Sequence, residues 1–86
     1  MTIVASAKAQ NASGLVIARI SVVIHEGCPD GVKPWRIIIS EWRDDSSFKD
    51  TSILEYWNWS AALSALRGLC TAFNAEAKLG ALAEID

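Results

Sequence analysis

Between residues 15 and 25, Val16, Ala18, Ile20, Val22 and Ile24 recur at strict period two, five apolar positions in succession. A strand puts alternate side chains on one face, whereas a helix would scatter these residues around its circumference, so this segment has to be a β-strand with one side in a core. Its other side reads Leu15, Ile17, Arg19, Ser21, Val23 and His25, apolar at the ends and polar in the middle, so it is only partly wetted. A strand of this kind needs neighbours, and the flanking sequence provides them.

Residues 2–9 alternate Ile3, Ala5, Ala7 and Ala9 with more polar positions, which suits an edge strand, and residues 11–14 (NASG) form a turn cluster before the central strand. After it, residues 26–34 hold Pro29, Asp30 and Gly31 in the order of a tight turn, in which Pro fixes its own φ and Gly supplies a positive one. Residues 35–43 (WRIIISEWR) are β-branched and aromatic, and the polar run 44–50 (DDSSFKD) connects them to a fourth strand at 51–57. From Asn58 the period changes. Asn58 or Ser60 can cap a helix running over about 59–79, with Gly80 at the left-handed position after it and 81–86 as a tail or short continuation. The expected fold is α+β: a four-stranded antiparallel meander, then one long C-terminal helix packed on the sheet, in a single domain over 1–86.

On that helix Trp59, Ala62, Leu63, Leu66, Leu69, Cys70, Phe73 and Ala77 form the stripe that faces the sheet. The opposite side gathers Ala61, Ala65, Gly68, Ala72, Ala75 and Leu79, and only Arg67, Glu76 and Lys78 are charged between 58 and 79. A helix nearly apolar all round is ordinarily covered on two sides, which marks this small-residue face for a second copy or a partner. The chain has 86 residues, 51% of them apolar and 21% charged. So small a domain buries only about 60 to 65% of its unfolded surface, which again favours association.

Eight Lys and Arg against ten Asp and Glu give a net charge of -2, which disfavours nucleic acid and anionic membranes as partners. No apolar run approaches the length of a membrane span, and residues 1–10 lack the charged-then-apolar pattern of a secretory signal, so a cytoplasmic location is expected. Cys28 and Cys70 have no zinc spacing and are expected to be free thiols.

His25 has no nucleophile or ligand set near it in sequence, Glu26 and Asp30 belong to a turn, and Gly27 and Gly31 lack the Lys-Ser or Lys-Thr of a phosphate loop. Asp44, Asp45, Ser46 and Ser47 lack the further ligands of a calcium loop. No cofactor, metal or catalytic residue is therefore expected, and the chain reads as a binding protein rather than an enzyme.

Four tryptophans, at 35, 42, 57 and 59, bear on what it binds. Trp35 and Trp42 have opposite parity on one strand, so they point to opposite faces, and Arg36 shares its parity with Ile38, Ser40 and Trp42. Trp35, Arg36, Trp42 and Arg43 are the candidate partner-binding residues.

The Ile-rich strand ending in Glu-Trp (residues 37–42, IIISEW), then Ser52, Ile53 and Leu54 before a helix led by Trp59, resembles the positive-cofactor-four and Pur-alpha class of single-strand binders. That resemblance implies a dimer gripping single-stranded DNA or RNA, with Arg36, Trp42 and Arg43 as contacts. The small acidic single domain also looks like the inhibitors made by phages and mobile elements, anti-CRISPR proteins among them, which implies occlusion of a host complex. Of these expectations, a non-catalytic protein-binding module that forms a homodimer ranks first, and a single-strand nucleic-acid binder second.

Overall fold

The computed structural model describes residues 2–43 and 47–79. In it the alternating segments become β1 (Thr2–Gln10), β2 (Val16–Ile24), β3 (Trp35–Arg43) and β4 (Ser47–Tyr56), each antiparallel to the next. The helix α1 (Trp59–Phe73) follows, and the chain then returns as β5 (Glu76–Leu79) to pair with β1, giving the sheet order β4-β3-β2-β1-β5. The α+β class and the antiparallel sheet are as expected.

Two features differ from the sequence reading. The sheet has five strands rather than four, and the helix has 15 residues, ending at Phe73 rather than near Leu79. Geometry explains the shorter helix. At 1.5 Å per residue α1 is about 22 Å long, and five strands 4.8 Å apart make a sheet about 19 Å wide. A helix running to residue 79 would overshoot the sheet by two turns.

Asn74 provides the stop. It takes the left-handed conformation (φ 52°, ψ 45°), its amide donates to the Thr71 carbonyl, and the Ala75 amide donates to the Cys70 carbonyl at 2.8 Å. This is a Schellman closure with Asn in place of Gly. The segment beyond it, EAKL, has good helix formers, yet its backbone pairs Leu79 with Ala5 and Ala77 with Ala7, satisfying one edge of β1 that would otherwise be open. Gly80 and the tail 81–86 lie outside the described residues.

At the other end Asn58 is the N-cap, its side-chain oxygen accepting from the Ala61 amide at 2.9 Å. β4 also starts earlier than expected, because Ser47–Asp50 of the polar connection continue the ladder, and a register shift opposite Ile39 and Ser40 absorbs one extra residue. Asp44, Asp45 and Ser46 lie outside the described residues.

The core lies between α1 and one face of the sheet. Ile20, Val22, Ile37, Ala62 and Leu66 are fully covered, and the expected helix stripe packs there through Trp59, Leu63, Leu66, Leu69, Cys70 and Phe73. Ala77 reaches the same core from β5 instead of from the helix. No helix among the described residues is long and apolar enough to cross a membrane.

Replacing Asn58 with Ala leaves the Ala61 amide without its acceptor and is expected to lower unfolding stability by about 1 kcal/mol. Replacing Asn74 with Val forces a β-branched residue to positive φ and is expected to cost at least about 1 to 2 kcal/mol, whereas Asn74→Gly is close to neutral. Urea unfolding of the three variants provides the check, and equal losses for Val and Gly at position 74 would contradict the assigned helix end.

Candidate functional site

Among the described residues one helix covers one face of the sheet and nothing covers the other. The register places its side chains in rows across the strands. Phe48 lies beside Trp42; Asp50, Ser40, Arg19, Lys8 and Glu76 form the next row; Ile53, Ile38, Ser21, Ser6 and Lys78 the third; Glu55, Arg36, Val23 and Ile3 the fourth. The outer strands carry the carboxylates Asp50, Glu55 and Glu76 together with Lys78, and the cations Arg36, Arg19 and Lys8 stand on the three middle strands.

The large apolar groups left in water are concentrated away from the helix. Ile3 is 64% exposed, Ile53 59% and Trp42 48%, Ile17 at the start of β2 is 42% exposed with the parity of Arg19 and Ser21, and among the described residues no large apolar side chain of this exposure lies on α1. Leu15, Trp57, Leu54 and Leu79 are also exposed but stand in loops or on the helix side of the edge strands.

Polar and aromatic contacts fix this surface. Trp42 meets Phe48 edge to face with ring centroids 5.1 Å apart, and the Arg19 guanidinium lies 4.0 Å from the Phe48 centroid, arrangements favoured by the ring quadrupole. The Ser40 hydroxyl donates to Asp50 Oδ1 at 2.6 Å. Arg36 Nε stands 3.7 Å from Glu55 Oε2, close enough for charge attraction but not for a hydrogen bond, so this buried Nε has no acceptor. A shallow depression of about 320 Å³ between β1 and β5 is bordered by Lys8, Glu76 and Lys78.

The structure therefore separates the residues singled out in the sequence. Arg36 and Trp42 share the open face. Trp35 points to the helix side, its ring centroid 5.3 Å from that of Trp59, and Arg43 has the same parity as Trp35 at the exposed end of β3. Of the small-residue helix face, Ala61, Gly68 and Ala72 are exposed, Ala65 and Ala75 lean on the core, and Ala75 and Leu79 are beyond the end of α1.

Ile3, Arg19, Phe48 and Ile53 stand outside the four partner-binding candidates; Ile3 leaves the side of Ala5, Ala7 and Ala9 because a register shift falls between Ile3 and Ala5. Arg19 stands on the second face of the central strand, and Ile53 alternates with Leu54. Phe48 was hidden in a run of Asp, Ser and Lys that reads as a loop.

Both cysteines are free thiols. Burial raises the Cys70 thiol above its ordinary value. His25 is exposed at the end of β2, and no group of three or more metal-ligating side chains forms among the described residues.

Trp42→Ala removes one edge contact from a half-exposed ring and is expected to cost about 1 kcal/mol, whereas Trp59→Ala opens the core and is expected to cost about 3 to 5 kcal/mol. Denaturant midpoints distinguish them, and equal losses would place Trp42 in the fold rather than on its surface. In a second measurement, a thiol reagent near neutral pH is expected to label Cys28 in the native protein and Cys70 only after denaturant is added. Comparison with protein families, curated proteins and solved structures gave no match, so the open face has to be interpreted from its own chemistry.

Proposed function

We propose that this chain is a non-catalytic protein-binding module that works by laying the open face of its sheet on a larger partner. The observation that carries the reading is the exposed trio Ile3, Ile53 and Trp42 on one regular surface, with Trp42 braced by Phe48. A half-exposed indole held in one position by Phe48, on a face that also carries exposed Ile residues and charges, has the composition of an interface anchor and its polar surround. The helix surface fits this role less well, because its outward residues are Ser, Thr, Ala, Gly and Arg, which offer little apolar area. A role as an inhibitor, implied by the likeness to phage and mobile-element proteins, would need no chemistry beyond this occlusion.

A second reading rests on a specific arrangement. Arg36, Arg19 and Lys8 stand on the three middle strands of the open face, which also carries Trp42 at the far end of β3 from Arg36, a mixture of cations and an aromatic that a platform for single-stranded nucleic acid would require. The carboxylates of Asp50, Glu55 and Glu76 border that stripe on both sides, and two of its three cations already rest on Glu55 and Phe48. This favours protein.

Affinity capture from the native host, with nuclease treatment and a Trp42→Asp control, tests the choice. Wild type is expected to retain a protein through washes at moderate salt, and the control to lose at least about tenfold of it. Recovery of nucleic acid alone, lost steeply as salt rises, would replace this reading with the second one.

A further inference from the structure

We infer that a second copy of this chain covers the open face when no other partner does, the two sheets packing face to face about a twofold axis. This rests on the reading of that face as a protein-docking surface. It also moves self-association from the helix, where the sequence pattern placed it, to the opposite side of the molecule.

Three properties of the face carry the inference. Its area fits a weak dimer: the four strands β1 to β4, each about 30 Å long and taking up about 4.8 Å of width, present roughly 600 Å² per copy. The pair would bury about 1,200 Å², the lower limit of specific interfaces. Its charge is self-complementary over the four strands that overlap, with the carboxylates Asp50 and Glu55 on β4 and the cations Lys8, Arg19 and Arg36 on β1, β2 and β3, while β5 carries both Glu76 and Lys78. Its apolar groups come from several strands, so they make a surface rather than a groove for a single peptide.

The rows also select an arrangement. When the twofold axis runs parallel to the strands between β2 and β3, β4 of one copy lies over β1 of the other. Asp50 and Lys8 occupy the same row on those two strands, so the rotation sets Asp50 against Lys8 twice, once at each side of the contact. Near-parallel strands in stacked sheets are the aligned packing that twisted antiparallel sheets favour. The helices end up on the two outer surfaces, with Ala61, Gly68 and Ala72 in water.

Sedimentation equilibrium of the purified full chain at concentrations from about 10 to 300 µM, in the range of weak association constants, tests this. Wild type is expected to pass from monomer to dimer over that range, and Ile53→Lys, at a 59% exposed position, to stay monomeric with unchanged circular dichroism. Lys8→Glu and Asp50→Lys are each expected to weaken the dimer about three- to fivefold, and the double variant to recover most of that loss. The recovery distinguishes a direct contact from damage to the fold.

A wild type that remains monomeric at the top concentration overturns the inference. So does a dimer indifferent to Ile53→Lys, or one dissolved instead by Ala72→Glu on the helix. A monomer that still captures its protein partner through Trp42 removes only the second copy, whereas a dimer that captures no protein removes the docking reading and leaves the self-contact standing.

Discussion

A helix of 15 residues can cover one side of a five-stranded sheet and no more, and the rest of this molecule follows from that limit. The covered side is built to be thin. Ala5, Ala7 and Ala9 on β1 and Ala18 on β2 are small and buried, and Ala62 of the helix shares the core cluster with Ala5 and Ala7. Bulk is concentrated where β2 and β3 meet the helix, at Ile20, Ile37, Leu66 and Trp59. Packing of this kind leaves no spare apolar groups on the helix. It leaves them on the back of the sheet, where no second layer exists among the described residues.

Period two was the most legible signal, because strand geometry forces alternation and few other structures imitate it. Residues 35–43 form β3 to the residue, and the central strand differs by one residue at each end. The opposite parity of Trp35 and Trp42 correctly assigned one to each face. The C-terminal third was less legible. Residues 76–79 are good helix formers, and their strand pairing is decided by the open edge of β1, which no local window contains. The left-handed turn at Asn74 was missed for a related reason: Asn tolerates that conformation but occurs widely elsewhere, so the glycine six residues later seemed the better stop.

The length of the helix decides which surface is bare. A rod extended to Leu79 collects Ala75 and Leu79 into a long bare stripe, whereas the observed α1 ends before either and shows water mainly short side chains. The statement that survives is the compositional one. A chain of 86 residues with an apolar share of 51% has more greasy surface than one helix and one sheet face can hide. What composition could not say was which surface would carry the surplus, because that depends on the sheet having a fifth strand and the helix only four turns.

The open face is partly sheltered by its own polar residues. Val23 points to that side yet is only 4% exposed, with Arg36 and Ile3 directly opposite it on the neighbouring strands, and the Arg19 guanidinium lies on the Phe48 ring. Long cationic stems that lie over apolar neighbours keep such a surface soluble. The shelter is incomplete, since the buried Nε of Arg36 has no acceptor and Glu55 stands just out of reach. Covering one exposed Ile or Trp yields about 1.5 to 3 kcal/mol at most, while bringing two proteins together costs about 4 to 15 kcal/mol. No single residue on this face can hold a partner. Under the proposed docking, Ile3, Ile53 and Trp42 have to be covered together, which fits a flat and complementary protein surface better than a peptide anchored at the indole.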